Sequence, residues 1–220
     1  MKDFDHITNW DPMGQWSSRY AARAARDYAN DTGGNAISYG AVASYQLAAM
    51  FLEDCRDVED WGCGFGTFRR YCLSPQYIGI DGSESPAADA VVDLSKYTSD
   101  VEGILVRHVL EHNPIGWRQI FMNAIESFSK KMVLVIYTPF GDVTRNVRRQ
   151  SPADIWVPVA MSFRKDDLVS CIPPEVSWFT VVGEPLSEHE TMFFLQRGGE
   201  RRTRSSRQDV AYCPNFDGDL

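Results

Sequence analysis

Two short clusters in this sequence carry the residue types that do chemistry. The first is Asp60-Trp61-Gly62-Cys63-Gly64-Phe65-Gly66, with Asp81 following 19 residues after Gly62 at the end of Tyr-Ile-Gly-Ile-Asp. Glycines at the junction of a strand and a helix let the backbone turn tightly and bring its N–H groups against a ligand. A carboxylate closing the next strand can accept both hydroxyls of a ribose lying across the sheet. The spacing is Gly-x-Gly-x-Gly. The dinucleotide fingerprint would need its third glycine at 67, where this chain has Thr67, and no Gly-Lys-Ser/Thr follows to make a phosphate loop. Alone, such a turn is equally a strand–helix connection that binds nothing, and Asp81 is equally a turn former before Gly82; the two together favour the ribose. The second cluster is Arg107-His108-Val109-Leu110-Glu111-His112, where two imidazoles and a carboxyl supply candidates for proton transfer.

Hydrophobic periodicity predicts the elements that hold these clusters. Two helices are expected first, over Gly14–Asn30 and from about Ser38 to Asp54. Short strands then alternate with helices: strands at 57–62, 77–81, 88–94 and 103–109, a helix at 67–73, and a helix opening at Asn113-Pro114 with Asn as its cap. That helix carries Trp117, Ile120, Phe121, Ala124, Ile125 and Phe128 as one apolar stripe. Met-Val-Leu-Val-Ile-Tyr-Thr-Pro at 132–139 is apolar almost throughout, as a strand covered on both faces should be. Residues 140–163 read as irregular and 164–171 as a short helix. Strands at 176–183 and 191–197 have no room for a helix between them and must pair antiparallel. The fold class is therefore α/β, a three-layer αβα sandwich whose mostly parallel, seven-stranded sheet ends in an antiparallel hairpin strand.

With these motifs in that order, residues 55–197 resemble the class I S-adenosylmethionine-dependent methyltransferases of the small-molecule and glycan type. The resemblance rests on Glu59-Asp-Trp-Gly-Cys-Gly-Phe-Gly66, Ile78-Gly-Ile-Asp81, Val91-Val-Asp-Leu94 and Val106-Arg-His-Val-Leu-Glu-His-Asn113. It implies a Rossmann-like domain that binds S-adenosylmethionine and releases S-adenosylhomocysteine. By position it implies that Gly62, Cys63, Gly64 and Gly66 lie against the methionine part of the cofactor, with Asp60 orienting the loop and the amino group. Asp81 and Gly82 would serve the ribose, Asp93 and Leu94 the adenine, and Arg107 and His108 the floor beneath the cofactor. Trp61 departs from the family pattern, which has a smaller apolar residue there.

Methyl transfer from a sulfonium asks the protein for alignment, desolvation and, for a hydroxyl acceptor, a base. His112, just past the fourth strand, is the first candidate, followed by Glu111 and His108. Each has a plainer reading: His112 as a surface turn residue, Glu111 as a cap of the following helix, and His108 as a half-buried neighbour of the cofactor. On the substrate side stand Arg145, Arg148 and Arg149, which could receive a phosphate or carboxylate or simply form a solvated charged face. Trp16, Arg19 and Tyr20 in the first helix are either lid residues or core. Tyr137-Thr-Pro-Phe140 is not the tetrad of amino-methylating DNA enzymes.

The whole-chain properties narrow the partners. A net charge of −8 over 220 residues argues against general nucleic-acid binding, which needs cations to neutralise phosphates. Five cysteines without a Cys-x-x-Cys pair give neither a disulfide framework nor a zinc site, and point to a reducing cytoplasm. No metal cluster, export signal or membrane segment is legible, and nothing fixes an oligomeric state. The expected organisation is a helical lid over 1–54, the cofactor domain over 55–197 and a polar, mobile tail over 198–220. The expected function is transfer of a methyl group to a small-molecule or sugar acceptor, at oxygen. An RNA or protein methyltransferase, or a non-catalytic S-adenosylmethionine-binding regulatory or assembly protein, is the alternative.

Overall fold

The computed structural model describes residues 13, 14, 16, 17, 42–147, 161–186 and 190–198. Within them, helix α1 (Val42–Phe51) precedes strands β1 (Asp57–Trp61), β2 (Gln76–Asp81), β3 (Ala90–Val91) and β4 (Val101–Arg107). Helix α2 (Trp117–Ser127) leads into β5 (Phe128–Ile136). The short strands β6 (Arg145–Asn146) and β7 (Met161–Ser162) then form a separate antiparallel pair, followed by helix α3 (Lys165–Val169) and strands β8 (Val176–Val182) and β9 (Thr191–Arg197).

One seven-stranded sheet runs β3-β2-β1-β4-β5-β9-β8. Its first five strands are parallel, and β9 lies antiparallel between β5 and β8. The α/β expectation with a closing hairpin is met. Successive residues of a strand point to opposite faces, so the central strands must be apolar throughout. Val106 of β4 with Leu134 of β5 and Phe193 of β9 joins the core on the α2 side, together with Ile120 and Phe121. Leu105, Val133 and Phe194 face the other way, onto Ala48 and Ala49 of α1 and Leu52 just beyond it. The described helix of the first 54 residues therefore covers one face of the sheet.

Four local expectations need correction. The segment 67–73 is a 3-10 turn, Thr67–Arg70, rather than an α-helix. Residues three apart eclipse in such a turn, which suits Phe68 and Tyr71, both of which stack on Tyr45 of α1. Helix α2 starts at Trp117, not at Pro114, with Gly116 before it. Asn113 does not cap it, because its side-chain amide donates to the carbonyl of Val109 at 2.7 Å and closes the turn before. The third strand keeps only Ala90–Val91, since the chain bends where Asp93 accepts the backbone N–H and hydroxyl of Ser95. Finally, the irregular stretch contains the β6–β7 pair, too short to show periodicity.

Candidate active site

Strand order reverses direction between β1 and β4, and at such a switch point the loops leaving the carboxyl ends diverge and open a crevice. The glycine turn sits there. Gly62, Gly64 and Gly66 all have positive φ, 74°, 54° and 67°. At Gly62 the requirement is also steric: a Cβ would stand 2.3 Å from Cγ2 of Val109, in the loop after β4. The two loops that flank the crevice thus touch through a missing side chain. At Gly66 a Cβ would meet that of Ala87 at 2.7 Å.

Asp81 ends β2 beside this turn and is 4% exposed. Its Oδ2 accepts the N–H of Gly64 at 2.9 Å and its Oδ1 the N–H of Ser83 at 2.8 Å. The acid predicted to meet a ribose is therefore also the brace of the glycine turn. The hydroxyl of Ser85 donates to the carbonyl of Gly64 and adds a second tie. Gly14, Trp16 and Ser17 cross the same loop: Gly14 donates to the carbonyl of Gly82 at 2.7 Å, Trp16 N–H to Ser83 Oγ at 3.0 Å, and Ser17 Oγ accepts from Glu84 at 2.8 Å.

Beneath the turn, Asp60 is buried and accepts a hydrogen bond from the Tyr77 hydroxyl at 2.8 Å. Desolvation outweighs that bond and pushes its pKa up to about 7. Cys63 is buried alongside, its thiol pushed up mainly by desolvation and then by Asp60, so it lines the turn as an inert group. Trp61 points to the opposite face, where its indole N–H donates to Glu59 at 2.7 Å. Glu59 also accepts from Tyr97 and Ser99. The unusual tryptophan is thus explained as a donor to a buried carboxylate that the sequence analysis did not single out. Asp93 lies 13% exposed by its side chain; desolvation opposes its ionisation, but bonds from Ser95 and Lys96 hold it below the usual carboxylate range. Leu94 is buried.

The other wall is built at the ends of β4, β5 and β9. Arg107 Nη2 donates to Glu190 Oε1 at 2.8 Å, Nε to Ser44 Oγ at 3.0 Å and Nη1 to the Tyr45 hydroxyl at 2.9 Å. His108 Nε2 lies 3.0 Å from the same Glu190 oxygen. His108 has φ 55°, a left-handed backbone at a residue that carries a side chain. Burial, and then the neighbouring Arg107 charge, drive its pKa down to about 3, so the ring is neutral through the physiological range. Glu111 is 1% exposed; one carboxyl oxygen accepts the N–H of Tyr137, and Oε2 has no hydrogen-bond partner among the described residues. Burial pushes its pKa up to about 7. It does not cap α2. His112 is half-buried on the rim, its ring edge-on to Trp16 at 5.1 Å.

The structure thus gathers Asp60, Gly62, Cys63, Gly64, Gly66, Asp81 and Gly82 on one side of the crevice and Arg107, His108 and Glu111 on the other. Trp16 and His112 meet at its mouth. Arg145 is exposed on β6, while Arg19, Tyr20, Arg148 and Arg149 lie outside the described residues. Glu190, Ser44 and Tyr45 were missed; Glu190 sits in a polar stretch before β9 with no motif around it. Among the described residues no group of three or more His, Cys, Asp or Glu side chains could hold a metal ion, and no helix is long and apolar enough to cross a membrane.

No protein-family model matches the chain, and no curated protein matches it by sequence. Solved structures do match in fold. The 1,6-didemethyltoxoflavin-N1-methyltransferase of Burkholderia thailandensis, crystallised with 1,6-didemethyltoxoflavin and S-adenosylhomocysteine, aligns with TM-score 0.53 and 15% identity over 83% of this chain and 85% of that one. The magnesium protoporphyrin IX methyltransferase of Synechocystis PCC 6803, with S-adenosylhomocysteine bound, gives 0.53 and 11% over 84% and 97%. The mitomycin 7-O-methyltransferase MmcR gives 0.52 and 12% over 86% of this chain and 62% of that longer one. The fold is that of the class I methyltransferases.

Proposed function

We propose that this protein is an S-adenosylmethionine-dependent methyltransferase that acts on a small-molecule or sugar acceptor, at oxygen. The observation that carries the reading is Asp81, buried at the end of β2 and braced by the N–H groups of Gly64 and Ser83 across the switch point of the sheet. Its donor set fits the cofactor. An ionised carboxylate offers about four acceptor positions, which suits ribose hydroxyls, and the left-handed glycine turn presents backbone at the place where the methionine part would lie. Asp60 would then steady the loop from below, Gly62, Cys63, Gly64 and Gly66 would line the methionine part, and Gly82 would border the ribose. Asp93 and Leu94 would border the adenine. When bound, the sulfonium supplies an electrophilic methyl carbon. The chain's own part is to orient the acceptor, exclude water and take a proton.

The acceptor side is assigned to Trp16 and His112 at the mouth, with Arg19, Tyr20, Arg145, Arg148 and Arg149 as candidates for holding a polar substrate. Small-molecule acceptors are supported by the enzymes of the same fold, which include one bound to 1,6-didemethyltoxoflavin. The acidic composition favours the same class over RNA. The test is transfer of a radiolabelled methyl group from S-adenosylmethionine into parallel panels of hydroxylated sugars and small aromatics, total RNA, and basic proteins. Label in a small acceptor is the expected result. Label confined to RNA or protein would overturn the acceptor class.

A further inference from the structure

We propose that His108 is the general base of this site and that Glu190 is the positioning residue that sets its tautomer, a dyad assembled from the end of β4 and the start of β9. The inference rests on the methyltransferase reading above. Four observations lead to it.

The first is position. Trp61 pairs with Val106 in the β1–β4 register, so His108 leaves the sheet beside the glycine turn, at the carboxyl end where the crevice opens. The second is the hydrogen bonding of the ring. Glu190 faces the Arg107 guanidinium at 2.8 Å with both side chains almost wholly buried, and a cation that close holds the carboxylate ionised. An ionised carboxylate only accepts, so the Nε2 atom 3.0 Å away must carry the hydrogen. That leaves Nδ1 as the bare nitrogen. Among the described residues it has no hydrogen-bond partner, and 11% of the side chain reaches the surface. The third is the backbone. His108 is the only non-glycine residue at positive φ among the described residues, and such strain concentrates where a side chain must be aimed. Its N–H is tied to Val135 at 3.0 Å and its ring rests on Tyr137 at 5.0 Å, so the aim is fixed. The fourth is contrast. Glu111 has one oxygen committed to the Tyr137 backbone, and His112 sits farther out against Trp16.

The step balances simply. The acceptor hydroxyl oxygen forms its bond to the methyl carbon as the carbon–sulfur bond breaks and its electron pair returns to sulfur. The hydroxyl proton passes to His108 Nδ1, and the imidazolium so formed lies against the Glu190 carboxylate. The groups facing the ring are Glu190, Arg107 and His112, with the Tyr137 ring tilted against it. Burial and the Arg107 charge keep the ring unprotonated before the acceptor arrives, and the Glu190 carboxylate 3.0 Å away offsets the charge the ring takes up during transfer.

The experiment uses the full chain with ¹⁵N-labelled histidine, saturated with S-adenosylhomocysteine, and follows the four imidazoles by two-dimensional NMR from pH 5 to 8. His108→Asn assigns the resonance. The expected result is a neutral ring with the hydrogen on Nε2 across the range, and loss of that fixed tautomer in Glu190→Gln. A cationic ring, or the hydrogen on Nδ1, overturns the proposal. With the first acceptor found to turn over, His108→Asn should lower kcat by about 100-fold or more, far more than it weakens S-adenosylhomocysteine binding, and Glu190→Gln should lower kcat less while shifting its pH profile. Unchanged kcat in His108→Asn overturns the proposal as well. Failure of the wild-type chain to bind S-adenosylhomocysteine would instead sink the underlying reading, whatever the tautomer.

Discussion

The two walls of the crevice are built on opposite plans. At the ends of β1 and β2 the wall is mostly backbone: three glycines in left-handed conformations, their N–H groups bonded within the protein to Ile80, Asp81 and Cys63, with the Asp81 carboxylate as brace. At the ends of β4, β5 and β9 it is built by side chains from four separated stretches, residues 44–45, 107–111, 137 and 190. This second wall gathers one cation, two carboxyls and an imidazole in a poorly hydrated place, where each ionisation depends on the others. Under the proposed reading the first wall binds and the second handles the proton, and each should fail in its own way.

The largest effect should come from the second wall. Glu190→Ala leaves Arg107 buried without its carboxylate, which costs about 3–5 kcal/mol, and urea denaturation should show it. If the variant instead keeps wild-type stability, the ion pair is not the keystone of that wall. Next comes Asp81→Ala on the first wall. Loss of two charge-assisted hydrogen bonds to a ribose, at about 1.5 kcal/mol each, predicts at least a roughly 100-fold weaker Kd for S-adenosylhomocysteine, with the far-UV circular dichroism intact. Undiminished affinity would remove the distinction between the walls.

A smaller effect shows in the pH dependence of stability. The Glu111 carboxyl is raised from 4.5 to about 7 by burial, so the folded chain holds a proton there that the unfolded chain has lost. Its contribution to stability therefore falls as pH rises from about 4.5 to 7. Asp60 acts in the same direction from 3.8 to about 7. His108, lowered from 6.5 to about 3, acts oppositely between those values. Glu111→Gln removes only the first of these, so it should gain stability relative to wild type on going from about pH 5 to about pH 8. A difference that does not vary with pH would give Glu111 an ordinary carboxyl.

The same contrast explains what the sequence could reveal. The sheet was legible because its central strands are apolar on both faces and the hairpin leaves no room for a helix. The glycine turn and Asp81 were legible because one wall is written in contiguous residues. Glu111 and His108 were visible as residue types, but their states depend on burial. Glu190 and Ser44, 146 residues apart and hydrogen-bonded to one another, could be joined only by folding. Helix boundaries failed where local side-chain bonds overrode the usual signals, as at Asn113, whose amide closes the preceding turn.

The most direct test of the account is calorimetric titration of the full chain with S-adenosylhomocysteine and, separately, with NADH, since both cofactors suit a glycine turn followed by an acid at the end of the second strand. Saturable binding of S-adenosylhomocysteine with no heat from NADH is the predicted result. Binding of NADH, or silence from S-adenosylhomocysteine, would contradict it.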